Sequence, residues 1–293
     1  MPSFIDLIES GKQIGRYDLP DTLVGATGEK FRLRSAAGGG GNGVVFRADP
    51  LGSLSGEIDK CAVKMLRQCE SSRVDRFLNE ARIMRMLDHE RIAQFLESGQ
   101  ISLGDRDVPW IAMELGEANL RAHVLQHGPL PLTDFIRVAT QMCDAVRHLH
   151  ERGIIHRDLK PDNFVWDGEQ DTSVKMIDFG IAKLHNEDVS TRPLDQFTKQ
   201  LEFVGPVFFS SPELIEYSRD KSYPVDHRSD LFQLGKTLWF LATGRTSGGI
   251  PARKLCPADG AIYDIVRRLL NDDPDERIQT ARQVRSYLEV VAS

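Results

Sequence analysis

The chain has 293 residues, of which 41% are hydrophobic and 27% are charged, as expected of a globular protein with a large core. Its formal net charge of −6 gives no general attraction to nucleic acid or to a membrane surface, so we expect neither as a partner. Cys61, Cys69, Cys143 and Cys256 lack metal-site spacing and are too few for a disulfide scaffold. Without a signal peptide or a run of about 18 apolar residues, the sequence predicts a cytoplasmic protein.

Residues 1–28 precede every motif and are expected to form an N-terminal extension. Phe4, Ile5, Leu7 and Ile8 have the spacing of one face of a short helix, which would end before Pro20. So short a segment cannot hold a core of its own, so we expect a docked or partly ordered arm.

A strand is predicted to start at 31–33 and to run into the glycine-rich segment GGGGNGVVF at 38–46. Glycines let backbone amides approach phosphate oxygens because no Cβ stands in the way. A glycine run alone is also typical of a flexible turn, so its meaning depends on the neighbouring segments. After a turn-rich insertion comes the apolar segment Cys61-Ala-Val-Lys64, which predicts a strand carrying one lysine.

The next segment is predicted to be an amphipathic helix with Ser72 as its N-cap. Its apolar residues repeat at helical spacing and are Val74, Phe77, Leu78, Ala81, Met84 and Leu87. Glu80 lies at the edge of this stripe, so its carboxylate faces the body of the protein and needs an opposite charge. Lys64 is the expected partner.

The middle of the chain combines a buried strand, a link and a long helix. Residues 110–114 form an apolar strand that ends at Leu115 and Gly116. Apolar residues then recur at helical spacing from 132 to 149, until Gly153 ends the helix and Ile154-Ile155 forms a short strand.

The densest polar cluster comes next, as His-Arg-Asp-Leu-Lys-Pro-Asp-Asn at 156–163, with Asp178-Phe179-Gly180 after a second apolar run. Asn163 and Asp178 offer the oxygen ligands that Mg²⁺ prefers. Asp158 can accept the proton of an attacking hydroxyl, and Lys160 can neutralise a transferring phosphoryl group. The cluster therefore predicts chemistry on a nucleotide triphosphate.

In this order the motifs resemble the catalytic domain of the eukaryotic-type (Hanks-type) serine/threonine protein kinases. The resemblance covers about residues 28 to 290 and implies an α+β, bilobal fold for residues 29–293. It implies a small β-rich N-lobe with one key helix at about 29–114, a hinge at about 114–119 and a mainly helical C-lobe at about 120–293.

The same resemblance implies ATP and Mg²⁺, with Mn²⁺ as a substitute, as cofactors and assigns roles residue by residue. Asp158 and Lys160 would be catalytic, Asn163 and Asp178 would hold the metal, and Met113 would be the gatekeeper. The residues implied in nucleotide binding are Gly38, Gly40, Gly43, Val45, Lys64, Glu80, Glu114, Leu115, Asn163 and Asp178.

Asp178 to Glu213 resembles an activation segment, with Ser211-Pro212-Glu213 at the position of the A-P-E motif. Arg157 would bind a phosphate, and Thr198 is the predicted modified residue; Glu202 could instead supply a permanent negative charge. By resemblance, two further residues are structural. Asp230 would hold the backbone of the catalytic loop, and Arg277 would pair with Glu213.

The resulting prediction is an autophosphorylating kinase that transfers the γ-phosphoryl group of ATP to serine or threonine of protein substrates. Two departures keep alternatives open: Asn42 replaces an aromatic residue of the glycine-rich loop, and Gly205-Pro206 replaces Gly-Thr. A tyrosine or dual-specificity kinase, or a nucleotide-binding pseudokinase scaffold, fits these departures. A small-molecule kinase of the aminoglycoside type lacks the Lys-Pro-Asp-Asn sequence. A regulatory partner or a homodimer is also left open.

Overall fold

The computed structural model describes residues 3–39, 43–54, 58, 60–167, 173–180, 182–184, 208–256 and 260–292. The chain divides into two compact units, Met1–Asp88 with Ala93–Gly116, and His89–Ile92 with Glu117–Ser293. It passes from the first unit to the second after Gly116, within the segment 114–119 expected to be the hinge. The lobe boundaries themselves stay predictions.

The first unit contains a six-stranded antiparallel sheet, a separate two-stranded hairpin and one helix. The hairpin consists of β1 Phe4–Glu9 and β2 Lys12–Asp18. The sheet has the order β3-β4-β5-β6-β8-β7. Its strands are β3 Thr22–Val24, β4 Lys30–Gly39, β5 Gly43–Leu51, β6 Cys61–Leu66, β7 Phe95–Leu103 and β8 Arg106–Glu114, and the helix is α1 Ser71–Arg85.

The sheet forms where the sequence has apolar and β-branched runs. β6 and β8 are central strands, and their continuous apolar stretches are buried. Phe31 on β4 meets Trp110 on β8 edge to face, with 5.7 Å between ring centroids. A Cβ at Gly99 on the neighbouring strand would lie 2.6 Å from the Trp110 ring, so only glycine fits beneath this indole.

The predicted N-terminal helix is wrong, because residues 4–18 form a β-hairpin. Ile5 and Leu7 are 1% and 0% exposed and point to one face, which is the period of two of a strand. The turn at Ser10 and Gly11 has positive φ values of 50° and 76°, which suits the right-handed twist of the two strands. Helical spacing and strand alternation overlap in so short an apolar pattern, and the Ser-Gly turn is the signal that separates them.

The expected docking of this arm is seen in its packing. Ile5 and Leu7 lie in the same hydrophobic cluster as Phe31 and Trp110. β3, which also precedes residue 28, pairs with β4 inside the sheet. Residues before 28 pack on the sheet and, in β3, form part of it. A start of the catalytic domain at about residue 29 therefore stays a prediction.

The start of α1 also differs from the prediction. Ser72 is not the N-cap, because the helix begins at Ser71 and Glu70 occupies the capping position. The Glu70 side chain makes no capping hydrogen bond to the helix. The helix is held by its buried face, which includes Phe77, Ala81 and Met84 of the predicted apolar stripe. Leu78, which was expected on the same face, is 44% exposed.

The second unit is mainly helical. Its helices are α2 Leu120–His127, α3 Leu132–Glu151, α4 Pro212–Arg219, α5 Arg228–Thr243, α6 Ala261–Leu269 and α7 Ala281–Ala292. Its short strands pair as β9 Ile154–Ile155 with β12 Lys183–Leu184 and β10 Phe164–Trp166 with β11 Val174–Met176. Within the described ranges, no helix combines the length and the hydropathy needed to cross a bilayer.

Two features of this unit agree with the sequence. α3 has the predicted extent and ends before Gly153, whose φ of 69° is the left-handed conformation that glycine adopts at little cost. α5 is buried at every position from Ser229 to Ala242, so it forms the centre around which the unit packs.

Replacing Leu7 with alanine tests the docked hairpin. Leu7→Ala removes a fully buried side chain and should lower the free energy of unfolding by about 2–5 kcal/mol. Ile14→Ala on β2, where the side chain is 41% exposed, is the matched control and should change it by less than about 0.5 kcal/mol. Urea denaturation followed by circular dichroism measures both, and equal midpoints for the two variants would contradict the docking.

Candidate active site

In the first unit, Lys64 and Glu80 form the predicted ion pair. The Lys64 Nζ donates to both carboxylate oxygens of Glu80, at 2.7 and 2.9 Å. Lys64 lies on β6, and Glu80 lies on α1, where it is 1% exposed. A buried carboxylate needs such a partner, and the pair fixes the lysine between a strand and a helix.

The glycine-rich segment connects β4 and β5 of the same sheet. Gly38 lies opposite Val45, and a Cβ on Gly38 would meet no atom of the described residues within 4 Å. At Gly43 a Cβ would lie 2.8 Å from the Met65 carbonyl oxygen, so packing alone requires glycine there. Gly40 and Asn42, which the sequence also singled out, lie outside the described residues.

Glu114 and Leu115, which the resemblance implies in nucleotide binding, lie at the end of β8 and directly after it. The Glu114 N–H donates to the Gln94 carbonyl at 2.9 Å, and the Glu114 carboxylate accepts from the Gln94 N–H at 3.2 Å. Met113 is buried, as expected of the last residues of a core strand. Leu115 continues the chain after the strand ends and precedes Gly116.

In the second unit, three predicted residues meet in the loop after β9. The Lys160 Nζ donates to Asp158 Oδ2 at 2.6 Å. The Asn163 Nδ2 donates to the Asp158 carbonyl oxygen at 2.8 Å and reaches Oδ2 at 3.3 Å. The carboxylate of Asp158 is therefore oriented from two sides by side chains of its own loop.

The electrostatics of this loop are set by burial and by neighbouring charge. Burial raises the pKa of Asp158, and the positive charge of Lys160 opposes that shift without cancelling it. Burial would lower the pKa of Lys160, but the Asp158 carboxylate outweighs it and holds this pKa above its ordinary value. Burial lowers the pKa of His156, whose Nδ1 accepts the Asp158 N–H at 3.2 Å, so the ring is neutral.

The β10 and β11 ribbon brings Asp178 to this loop. Phe164 pairs with Met176, and the Ile177 N–H donates to the Asn163 carbonyl at 2.9 Å. Asp178 has a φ of 66°, and its Oδ1 accepts the Gly180 N–H at 3.2 Å. A positive φ in an aspartate is a strained conformation that persists only when the surroundings hold it.

Phe179 provides part of that hold. It is fully buried, and its ring centroid lies 5.3 Å from that of His156. The residue after Asp178 is thus packed against the residue that begins the catalytic loop.

Asn163 and Asp178 fit a magnesium ion by their chemistry. The Asn163 amide nitrogen is committed to Asp158, which leaves the amide oxygen as the ligand atom. With the Asp178 carboxylate it makes an all-oxygen pair, and Mg²⁺ needs only one or two carboxylates beside phosphate and water. In the described part of the chain no group of three or more His, Cys, Asp or Glu residues could hold a metal ion.

Asp230 on α5 holds the loop backbone, as predicted. Its two carboxylate oxygens accept the N–H groups of His156 at 2.9 Å and Arg157 at 2.8 Å. Arg157 has a φ of 68°, and these bonds stabilise that conformation. The His150 Nε2 also lies 2.9 Å from Oδ2 of Asp230, a contact that the sequence did not predict.

Gln233 is a second support that the sequence analysis missed. Its Oε1 accepts the Leu159 N–H at 3.0 Å, and its Nε2 donates to the Arg157 carbonyl at 2.9 Å. The available signal was spacing, because Gln233 lies one helical turn after Asp230 and shares its face.

Arg157, the expected phosphate ligand, is buried, and its guanidinium lies 5.2 Å from the centroid of the Tyr217 ring. The predicted modification site Thr198 and the alternative Glu202 lie outside the described residues, as do Gly205 and Pro206. The expected contact between Arg157 and a phosphate on Thr198, or the carboxylate of Glu202, therefore stays a prediction.

The predicted pair of Arg277 and Glu213 is confirmed. Arg277 donates to the two carboxylate oxygens of Glu213 at 2.6 and 2.9 Å, and both side chains are buried. Its guanidinium also donates to the carbonyl oxygens of Arg228, Asn271 and Asp272. One side chain thus joins the segment Ser211-Pro212-Glu213 to the N-terminus of α5 and to the loop before residue 277.

Comparison with known sequences identifies similar proteins. The family model described as a protein kinase domain matches residues 31–249. The chain is 28% identical to serine/threonine-protein kinase pkn2 of Myxococcus xanthus over 94% of its length, and 31% identical to Pkn1 of the same organism over 92%. It is 29% identical to serine/threonine-protein kinase PknB of Mycobacterium leprae over 89%. It spans only 34%, 39% and 42% of the lengths of these three relatives.

Replacing Arg277 with methionine tests the buried ion pair. Arg277→Met leaves the Glu213 carboxylate buried without its partner and should lower the free energy of unfolding by about 3–5 kcal/mol. The control is Arg267→Met on the exposed face of α6, with an expected change under about 0.5 kcal/mol. Adding Glu213→Leu to Arg277→Met should recover part of the loss in the same denaturation experiment. A double variant less stable than Arg277→Met would argue against an uncompensated charge as the cause.

Proposed function

This chain belongs to the protein kinase family, and we propose that it transfers the γ-phosphoryl group of ATP to serine or threonine hydroxyls of protein substrates. The observation that carries the proposal is the loop in which Lys160 and Asn163 orient the Asp158 carboxylate, with Asp178 attached to the same loop through its neighbour Ile177. The relatives named serine/threonine-protein kinases support the choice of acceptor.

Asp158 is the proposed base that binds the hydroxyl group of the protein substrate and takes its proton. The hydroxyl oxygen attacks the γ-phosphorus, the bond to the oxygen that bridges the β- and γ-phosphorus breaks, and ADP leaves. The hydroxyl proton goes to Asp158. A carboxylate whose pKa is raised by burial is a stronger base than one in water, which favours this transfer. Lys160 neutralises negative charge on the moving phosphoryl group.

Asn163 and Asp178 are assigned Mg²⁺, which Mn²⁺ can replace because both ions accept oxygen ligands. The ion, when bound, neutralises phosphate charge. Asp178 presents its carboxylate from a constrained backbone, and Asn163 presents its amide oxygen because its nitrogen is held by Asp158. The metal ligands are therefore oriented before the ion arrives.

Nucleotide binding is assigned to the first unit's motif residues. Lys64, held by Glu80, would contact the α- and β-phosphates. Because no atom of the described residues fills the space beside Gly38, phosphate oxygens could approach the backbone there. The full set of proposed nucleotide contacts in this unit is Gly38, Gly40, Gly43, Val45, Lys64, Glu80, Glu114 and Leu115.

We place the protein in the cytoplasm. Cys61 and Cys143 are buried free thiols, and burial raises the pKa of Cys61 to about 12, so neither is a reactive thiolate. Free thiols of this kind suit a reducing compartment. Protein substrates are implied by the proposed acceptor.

Removing the base and the phosphate contact separately tests the reaction. Asp158→Asn should lower phosphoryl transfer by about 10² to 10⁴-fold while ATP still binds. Lys64→Met should weaken ATP binding as well as transfer. Transfer of label from γ-labelled ATP to a mixture of protein substrates, with phosphoamino acid analysis, measures activity and acceptor type. A fluorescent nucleotide measures binding, and exposed Lys30→Met is the lysine control.

Three outcomes separate the alternatives. Nucleotide binding without transfer in the unmodified chain would establish a pseudokinase scaffold and remove the proposal. Label on tyrosine alone would replace serine and threonine as acceptors. Activity that survives Asp158→Asn would show that the hydroxyl is oriented elsewhere.

Thr198 is the proposed site of autophosphorylation. Its phosphate would meet Arg157, a buried arginine that already stacks on Tyr217. Mass spectrometry of the chain incubated with ATP and MgCl₂ should find phosphate on Thr198, and Asp158→Asn should lack it. Thr191→Ala is the control and should keep the modification. An active sample with residues 190–204 unmodified would favour Glu202 as the permanent charge.

A further inference from the structure

The N-terminal hairpin contacts the connection between the two elements that carry Lys64 and Glu80. β6 ends at Leu66, α1 begins at Ser71, and we call residues 67–70 the linker. We propose that the β1–β2 hairpin is a positioning element that holds the linker, and through it α1, so that Glu80 meets Lys64. The effect on catalysis rests on the proposed function, whereas the effect on the linker does not.

The first attachment is made by main-chain hydrogen bonds. The Ile8 N–H donates to the Arg67 carbonyl at 2.8 Å, and the Cys69 N–H donates to the Ile8 carbonyl at 2.9 Å. Ile8 therefore bridges Gln68 in the parallel sense. The hairpin edge adds to the linker as a strand adds to a sheet, which fixes the linker backbone without depending on side-chain identity.

The second attachment is at the start of α1. Glu70 is the N-cap residue but does not cap the helix with its side chain, and the first turn carries no acidic residue. Instead, Glu70 Oε1 accepts the N–H of Ser10 at the hairpin turn, at 2.6 Å. The helix start thus lacks the usual local stabilisation and is bonded to the hairpin.

The hairpin can hold the linker because it is itself anchored. Ile5 and Leu7 are buried in the core of the sheet. Glu9 accepts two hydrogen bonds from Arg106 on β8, at 3.0 and 3.1 Å. The Arg67 Nε donates to the Asp6 carbonyl at 3.0 Å. Sheet, hairpin and linker are therefore joined in a closed set of contacts.

The hairpin precedes the region that the family model matches, which begins at residue 31. If it served only to cover the core, contacts at Ile5 and Leu7 would be sufficient. The bonds of Ile8 and Ser10 instead meet residues 67–70, whose two ends lead to the two members of the ion pair. Loss of these bonds should loosen α1 and weaken the hold on Lys64.

The test removes one hydrogen bond and controls for lost side-chain packing. Ile8→Pro lacks the N–H that donates to Arg67, and proline is tolerated in an edge strand. Ile8→Ala keeps the N–H and removes more of the side chain than Ile8→Pro does, so it is the control for lost packing. Both are made in the full chain, together with Glu70→Ala and its conservative counterpart Glu70→Gln, which keeps an acceptor oxygen for Ser10.

Two readouts are compared. Hydrogen exchange of backbone amides in 67–80, followed by mass spectrometry, should be about threefold to tenfold faster in Ile8→Pro than in Ile8→Ala. The kcat/KM for ATP should fall by about the same factor, with the thermal midpoint matched to the control. Glu70→Ala should behave like Ile8→Pro, and Glu70→Gln should stay closer to the unmodified chain.

The outcomes distinguish the two proposals. Equal exchange in Ile8→Pro and Ile8→Ala, with Glu70→Ala also unchanged, would overturn the positioning role of the hairpin. Faster exchange with unchanged kcat/KM would overturn it too, because the linker would then be held without effect on the ion pair. If the unmodified chain transfers no phosphate, the proposed function fails, and faster exchange with weaker nucleotide binding would still support the hairpin's role.

Discussion

The carboxylate of Asp230 is the constraint on which the second unit's catalytic loop depends. Burial opposes its ionisation, but the hydrogen bond from His150 and the backbone N–H groups outweigh burial and lower the pKa of Asp230. A carboxylate offers a separate oxygen to each of the two adjacent backbone N–H groups, whereas an amide side chain has only one acceptor oxygen. These two hydrogen bonds stabilise the positive φ of Arg157. The chain turns at this residue, between the buried strand β9 and Asp158.

Helix α5 extends this constraint to the rest of the unit. Gln233 fixes the next stretch of the loop, and Ser229 shares a hydrogen bond with Ser211 at 2.7 Å. The carbonyl of Arg228 accepts from Arg277, which also holds Glu213. Because α5 is buried along its length, polar groups on it have no water to bond, and each must find a partner in the loops around it. The buried polar residues of α5 therefore fix the catalytic loop and the segment at Ser211.

Three contacts of the candidate site agree with the sequence analysis, namely Lys64 with Glu80, Asp230 with the catalytic loop, and Arg277 with Glu213. Lys64 was expected to pair with Glu80 because a carboxylate at the edge of an apolar stripe requires an opposite charge. The roles of Asp230 and Arg277 were implied by the resemblance of their motifs to those of protein kinases.

What the sequence could not predict depends on long-range contacts. The helical spacing puts Gln233 on the same face as Asp230, but its hydrogen bonds to Leu159 and Arg157 depend on where the loop lies in the fold. The segment 4–18 has a short apolar pattern that fits a helix or a strand, and its outcome is decided by burial of Ile5 and Leu7 against a sheet formed later in the chain. Ser72 has the chemistry of an N-cap, but the N-cap position lies two residues earlier, at Glu70, next to the residues of the linker that bond to Ile8.

The Lys64–Glu80 pair of the first unit and the Arg277–Glu213 pair of the second unit differ in how they are held. Arg277 and Glu213 are fixed by bonds to three carbonyl groups of their own surroundings, so nothing outside that cluster is needed to keep them together. Lys64 and Glu80 lie on separate elements, and α1 has no side-chain cap of its own. Because the start of α1 is held by residues outside the helix, changes in those residues can strengthen or weaken the Lys64–Glu80 pair. The hairpin holds the start of α1 through the hydrogen bonds of Ile8 and Ser10 to the linker. The position of Lys64, which is bonded to Glu80 on α1, therefore depends on residues that are far from it in sequence.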